Sequence, residues 1–132
     1  IISNDVEGNT DLLRRAKEVF RNFDCRVFDY SNPFEFINLI SRVDSIVTPK
    51  LHVGIFGATY GKPIISFPLH PEKTLRYYSQ IGYPEVSKSL FEVTESDIKI
   101  MIDRYLWRPV ELSEEILQLA DKNFRIFDQI TF

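Results

Sequence analysis

Residues 41–84 read SRVDSIVTPKLHVGIFGATYGKPIISFPLHPEKTLRYYSQIGYP and contain two short apolar runs on either side of a segment rich in small residues. The first run, Ile46-Val47, is soon followed by a proline, and the second, residues 63–68, is bounded by prolines. Such runs are typical of buried strands. The segment between them, residues 51–60, predicts a compact helix that stops at Gly61. Because strands joined through a helix run parallel, this stretch predicts a β-α-β unit.

The same alternation continues on both sides of this unit. Upstream, a strand-like run at residues 25–30 lies between two predicted helices with N-caps at Thr10 and Asn32, and the chain opens on the tail of a strand at residues 1–3. We therefore predict an α/β fold over residues 1–132, a three-layer Rossmann-like domain with a parallel sheet of about four to five strands. The remaining predicted elements are a helix that begins at Pro71 and runs towards Gly82, a short strand at 91–93, a helix capped by Thr94 and a last helix from Leu112 onwards.

The composition is that of an ordinary globular protein and argues against several functional classes. Of the 132 residues, 44% are hydrophobic and 27% are charged, and a formal net charge of −3 gives no sign of a nucleic-acid surface. Cys25 is the only cysteine, which excludes a disulfide framework. No apolar stretch approaches the roughly 18 residues that span a bilayer. The single cysteine is compatible with a reducing compartment, and we expect a cytoplasmic protein. Because the chain begins at Ile1 without methionine, we expect it to be a piece of a longer protein.

Polar residues gather where the predicted strands end. In open parallel sheets, ligands bind beyond the carboxyl ends of the strands. Lys50 and His52 begin the helix after one such strand, and the N–H groups and dipole of a helix N-terminus favour an anion such as a phosphate or carboxylate. A histidine there can act as general acid or base, because imidazole exchanges a proton near neutral pH. The four segments that this rule selects contain both histidines of the chain, and they are residues 3–5, 30–32, 48–52 and 67–73.

Each of these side chains also has a purely structural interpretation. A histidine in a first helical turn can serve only local hydrogen bonding, His70 can act as an N-cap, and Lys73 alone is typical of a protein surface. Tyr77 and Tyr78 could line a sugar site, although helical spacing places one of them in the core. Metal binding is not predicted, because the two histidines match no zinc spacing. The sequence also contains no glycine-rich nucleotide-binding loop.

The stretch at residues 41–84 resembles the polysaccharide pyruvyl transferase family. Its members typically show an apolar strand, an Arg-Leu-His signature, a small-residue helix, Gly-x-Pro, a second apolar strand and a later lysine. Here the signature is Lys50-Leu51-His52, the Gly-x-Pro element is Gly61-Lys62-Pro63, and the later lysine is Lys73. The sequence departs from the family at Lys50, because lysine is a point charge whereas arginine grips a carboxylate or phosphate with a planar fork.

The resemblance implies a fold similar to the two-domain GT-B glycosyltransferases, with this chain as the C-terminal domain and an N-terminal domain in cis. It implies transfer of a pyruvyl group from phosphoenolpyruvate to a sugar hydroxyl in exopolysaccharide synthesis, without a metal or organic cofactor. The isolated domain need not be active, because acceptor contacts are expected mainly from the other domain. In that scheme His52 is the catalytic acid that protonates the methylene carbon of the donor, and the implied donor-binding residues are Lys50, Leu51, Lys73, His70, Thr48 and Asn4.

Two other functions remain open on the sequence. A nucleotide-sugar glycosyltransferase of the same fold often carries a glutamate that holds the ribose just before its Ala-x-x-x-Gly-x-Pro element. Counted back from Ala58, that position is Gly57 here, which argues against ribose binding at this point of the chain. The spacing itself differs, because two residues rather than three separate Ala58 from Gly61. The second alternative is a non-catalytic module that binds only a glycan or a protein partner, which the lysine at position 50 permits.

Overall fold

The computed structural model describes residues 18–19, 21–22, 24 and 32–128. The predicted strands at 1–3 and 25–30 lie outside these residues, as do Asn4, Thr10 and Cys25. The chain divides into two compact units, Ile1–Phe36 and Ile37–Phe132. The interpretation of residues 1–132 as one α/β domain stays a prediction.

Five α-helices and a two-stranded parallel sheet lie wholly within the described residues. The prediction of a mixed α/β fold with a parallel sheet is confirmed, whereas the described part of the sheet has two strands rather than four to five. In chain order the elements are α1 (Pro33–Arg42), β1 (Ile46–Thr48), α2 (Leu51–Thr59), β2 (Ile64–Ser66), α3 (Pro71–Gln80), a 3-10 turn (Pro84–Val86), α4 (Glu95–Tyr105) and α5 (Glu114–Asp128).

The core of the second unit forms where α2 packs on the two strands. The strands pair in register, with Ile46 opposite Ile64, and both side chains are buried. A Cβ atom at Gly57 would lie 2.6 Å from Ile46 Cδ1 and 3.1 Å from Ile64 Cδ1, so α2 meets the strands across a position without a side chain. Other buried apolar residues of this unit are Ile40, Ala58, Ile65, Tyr78, Ile81, Val86, Met101 and Val110.

The two helices that flank β2 both end at a glycine in the left-handed conformation. Gly61 has φ 62° and Gly82 has φ 83°. At the end of α2, the Gly61 N–H donates to the Ala58 carbonyl at 3.0 Å and the Lys62 N–H donates to the Gly57 carbonyl at 2.9 Å. This pair of bonds is the Schellman motif, and the same pair closes α3 around Gly82. The structure therefore confirms that both helices stop at these glycines.

Two helix starts predicted from the sequence are also confirmed. Asn32 Oδ1 accepts hydrogen bonds from the N–H groups of Phe34 and Glu35 at 3.0 and 3.1 Å, and caps α1. At α4, the Asp97 N–H donates to Thr94 Oγ1 at 3.2 Å and the Thr94 N–H donates to Asp97 Oδ2 at 2.9 Å. This reciprocal arrangement is a capping box, which satisfies two backbone donors at once.

The short strand predicted at residues 91–93 is wrong, because the chain turns there. The Val93 N–H donates to the carbonyl of Ser89 at 3.0 Å, so it is not available to a neighbouring strand. The place beside β2 is taken instead by Ser87, which forms a single parallel bridge to Ser66.

An ion pair joins the residue after this bridge to the start of α4. Lys88 Nζ lies 2.8 Å from Asp97 Oδ1. The Lys88 ammonium, followed by the hydroxyl and N–H of Thr94, holds the pKa of Asp97 well below its ordinary value of 3.8. Asp97 therefore serves as a helix cap and as an ion-pair partner at the same time.

We expect Asp97→Asn to lower the urea midpoint of unfolding near pH 7 and to have little effect at acidic pH. Because the pKa of Asp97 is lower in the folded chain than in the unfolded chain, its stabilisation is complete above the ordinary value of 3.8 and is lost as the pH falls through the folded pKa. Urea unfolding across the acidic range measures this. The control is Asp103→Asn, an exposed aspartate later in α4. A loss of equal size at neutral and acidic pH would contradict the prediction.

Candidate functional site

The loops that follow β1 and β2 leave the sheet at the same edge. Pairing in register places Thr48 beside Ser66, so the two strands end together. One residue further on, the Phe67 N–H still donates to the Thr48 carbonyl at 3.0 Å. The two loops therefore begin side by side at the carboxyl edge of the strands, where open α/β sheets bind their ligands.

The loop after β1 is short and is fixed by a threonine. Thr48 is buried, and its Oγ1 accepts a hydrogen bond from the Lys50 N–H at 3.0 Å. Lys50 has extended backbone angles, φ −101° and ψ 124°, and is the N-cap of α2. This bond orients the backbone that leads into the helix, so Thr48 holds the start of α2 at the edge of the sheet.

The N-terminus of α2 is electrically suited to an anion. The N-cap residue Lys50 makes no capping hydrogen bond with its side chain, and the first turn of the helix carries no acidic residue. Lys50 and His52 are exposed on either side of the half-buried Leu51. The helix dipole, the backbone N–H groups of the first turn and the lysine charge all favour a bound phosphate or carboxylate here.

The loop after β2 leads to a second helix start. Pro68 is fully buried, and its carbonyl accepts from the Leu90 N–H at 3.1 Å, which anchors the loop. His70 is the exposed N-cap of α3 and makes no side-chain capping bond. Lys73 lies exposed in the first turn of the same helix, where Glu72 adds a negative charge. This second helix start is therefore less favourable to an anion than the start of α2.

The residues predicted for the site form two groups at one edge of the sheet. The first group, residues 48–52, is continuous in the chain and joins β1 to α2. The second group is His70 and Lys73 at the start of α3. Asn4 lies outside the described residues. The roles assigned to these side chains stay predictions.

Neither a metal cluster nor a membrane span is found in the part of the chain that the structure describes. No three side chains among its histidines, cysteines, aspartates and glutamates are grouped so as to hold an ion. None of its helices combines the length and the apolar character needed to cross a bilayer.

A set of buried hydroxyl groups beside the site was missed by sequence reasoning. Ser66 and Tyr78 are fully buried, and Ser87 is nearly so. Ser66 lies inside an apolar run and looked like an ordinary strand residue, while Ser87 is brought to it only by the bridge beside β2. Of the two tyrosines considered for a sugar site, Tyr78 belongs to the core and Tyr77 packs edge-on against its ring, at 5.2 Å between centroids.

Tyr78 also limits how close α2 can come to the rest of the fold. A Cβ atom at Gly54 would overlap the Tyr78 hydroxyl oxygen, and would lie 3.2 Å from the ring carbon Cζ. Because Tyr78 has no exposed surface, its ring cannot swing into solvent. The contact between Gly54 and Tyr78 therefore sets the distance between Tyr78 and the first half of α2. That half of the helix carries His52.

We expect Gly54→Ala to destabilise the protein even though alanine favours a helix. The propensity gain is at most about 1 kcal/mol, whereas overpacking a buried contact costs about 1–3 kcal/mol. Tyr78→Phe removes the overlapping oxygen but keeps Cζ at 3.2 Å, so Gly54→Ala should cost clearly less in that background without becoming neutral. Urea unfolding of the wild type, the two single variants and the double variant gives the coupling energy.

An equal cost of Gly54→Ala in both backgrounds would show that the Tyr78 hydroxyl does not set the helix position. Gly57→Ala is the matched comparison, because its contacts are with isoleucine side chains. Its cost should not change when Tyr78 becomes phenylalanine.

The family model described as polysaccharide pyruvyl transferase matches residues 2–71, which is more than half of the 132 residues. The match contains the whole segment from Thr48 to His52 and also His70, and it ends before Lys73. Neither the search of curated proteins nor that of solved structures found a match.

Proposed function

The chain belongs to the polysaccharide pyruvyl transferase family, and we propose that it forms the donor-binding part of an enzyme that moves a pyruvyl group from phosphoenolpyruvate to a sugar hydroxyl in polysaccharide synthesis. Family membership supports a transferase that acts on sugars or polysaccharides. The observation that carries the proposal is the N-terminus of α2, which has Lys50 as its N-cap and no acidic residue in its first turn. Phosphoenolpyruvate, with a phosphate and a carboxylate, is the kind of anion that such a site favours.

In the proposed scheme, lysines and backbone donors bind the two anionic groups of the donor. Lys50 and the first-turn N–H groups of α2 bind one group, and Lys73 at the start of α3 binds the other. Thr48 acts indirectly, because its hydroxyl holds the Lys50 backbone. His70 and Leu51 complete the proposed donor site, and Asn4 contributes from outside the described residues.

His52 is the proposed general acid. Its imidazolium gives a proton to the methylene carbon of the donor, which becomes a methyl group and leaves the adjacent carbon electron-deficient. A sugar hydroxyl adds to that carbon and loses its proton, after which the C–O bond to phosphate breaks. A second hydroxyl of the sugar then closes the ketal, so the products are a pyruvate ketal and inorganic phosphate. The scheme uses neither a metal nor an organic cofactor.

The proposed architecture is the C-terminal half of a GT-B fold. In this proposal the complete sheet is parallel and has about four to five strands. An N-terminal domain in cis supplies most contacts to the acceptor sugar, and the enzyme acts in the cytoplasm.

The competing function, a nucleotide-sugar glycosyltransferase, would use a glutamate to hold the ribose, and Gly57 does not supply one. This residue is buried against Ile46 and Ile64, where a Cβ atom would already come within 2.6 Å of the nearer side chain. A longer side chain at this position would require the side chains of Ile46 and Ile64 to move. The proposal therefore keeps phosphoenolpyruvate rather than a nucleotide sugar as the donor.

We expect the full-length protein to bind phosphoenolpyruvate, and Lys50→Ala to weaken that binding roughly tenfold or more, which corresponds to about 1.4 kcal/mol. Calorimetry measures the affinity directly. The matched control is Lys62→Ala, which removes a lysine at the opposite end of α2 and should leave the affinity almost unchanged.

For His52→Gln we expect nearly unchanged binding of phosphoenolpyruvate and a pyruvyl-transfer rate that is lower by roughly 10²–10⁴-fold, because the variant loses the general acid. Release of inorganic phosphate in the presence of a sugar acceptor measures the rate. Binding of a uridine diphosphate sugar in place of phosphoenolpyruvate would favour the glycosyltransferase, and binding of neither would favour a non-catalytic module.

A further inference from the structure

Three buried hydroxyl groups have no hydrogen-bond partner within the described part of the chain. They are Ser66 Oγ, Tyr78 OH and Ser87 Oγ. Ser66 and Tyr78 are 0% exposed and Ser87 is 7% exposed, so bulk solvent does not reach them. A buried hydroxyl left without a partner is costly, and folded proteins rarely tolerate one. Three together call for a physical explanation.

Ser66 is the centre of this group. It pairs with Ser87 in a parallel bridge, and the Lys88 N–H donates to the Ser66 carbonyl at 3.0 Å. Residues paired in this way project their side chains to the same face of a sheet. Burial raises the pKa of Tyr78, and a side-chain interaction with the Ser66 hydroxyl lowers it, so the two hydroxyls lie close together. Their geometry nevertheless falls short of a direct hydrogen bond.

The group lies between the sheet and the first half of α2. Gly57 covers Ile64 on one face of β2, and Ser66, two residues further along, projects to that same face. The Tyr78 hydroxyl touches Gly54, one turn nearer the start of the helix. The three hydroxyls are therefore enclosed directly below the part of α2 that begins with Lys50 and His52.

We infer that an internal water molecule binds among Ser66, Tyr78 and Ser87 and so links β2, α3 and the segment at Ser87 below the start of α2. A buried water makes about three hydrogen bonds to polar groups that would otherwise be unsatisfied, and three hydroxyls supply that number. The Tyr78 hydroxyl donates to the water, which donates in turn to the oxygens of Ser66 and Ser87. Three neutral hydroxyls suit a neutral ligand better than an ion. The site does not depend on the proposed function.

The first test is the unfolding equilibrium of the full chain. With the water present, Tyr78→Phe and Ser87→Ala each remove one of its partners, and each should lower the folding equilibrium constant about three- to tenfold. Because both substitutions remove partners of one water, their effects should not be independent. The folding equilibrium constant of the double variant should fall by less than the product of the two single decreases. Tyr60→Phe, at an exposed tyrosine, is the matched control and should change nothing.

A site without a bound water would give the opposite change in stability. If the hydroxyls are unsatisfied, Tyr78→Phe removes a buried penalty, so the folding equilibrium constant should stay unchanged or rise, and the two substitutions should act independently. A crystal structure that resolves waters gives the direct answer. An ordered water about 2.7–3.1 Å from at least two of the three oxygens supports the inference. A direct bond between Tyr78 and Ser66 with no water beside it overturns the inference, whatever the stabilities are.

Discussion

The close packing of α2 on β1 and β2 is the constraint on which the rest of the described fold depends. Two positions without side chains make it possible, Gly57 over the isoleucines of the strands and Gly54 against the Tyr78 hydroxyl. Burial of Ile46 and Ile64 beneath the helix contributes about 1.5–3 kcal/mol each. The same packing determines where α2 begins relative to the sheet edge, so the core and the candidate site are fixed by one set of contacts.

The features that the sequence predicted are those encoded by neighbouring residues. Asn32 with its following proline, Thr94 with Asp97, and the two glycines after α2 and α3 each act through bonds that span only a few residues. Such signals depend little on the rest of the fold. The strand expected at residues 91–93 failed for the same kind of reason, since the local turn at Ser89 takes a backbone donor that a strand would need.

Part of the candidate site could also be predicted from neighbouring residues, and part could not. The segment from Thr48 to His52 could be predicted because a strand end, a short loop and a helix start follow one another in the chain. The cluster of three buried hydroxyls, on Ser66, Tyr78 and Ser87, could not be predicted from the sequence. Its members meet through a strand bridge and a helix contact between residues that are distant in the chain. Nothing in the residues around Ser87 indicates that it lies beside β2. The shared edge of the two loops was predicted from the parallel strands, but the register that puts Thr48 opposite Ser66 was not.

The packing at Gly57 restricts how this scaffold can evolve. Any side chain added at position 57 would meet the side chains of Ile46 and Ile64. Smaller residues at both strand positions would have to come first, and each would weaken the core before any new ligand was gained. A side chain at position 57 would therefore need several linked substitutions, whereas Lys50 and His52 are exposed at the start of α2 and can change without entering this packing.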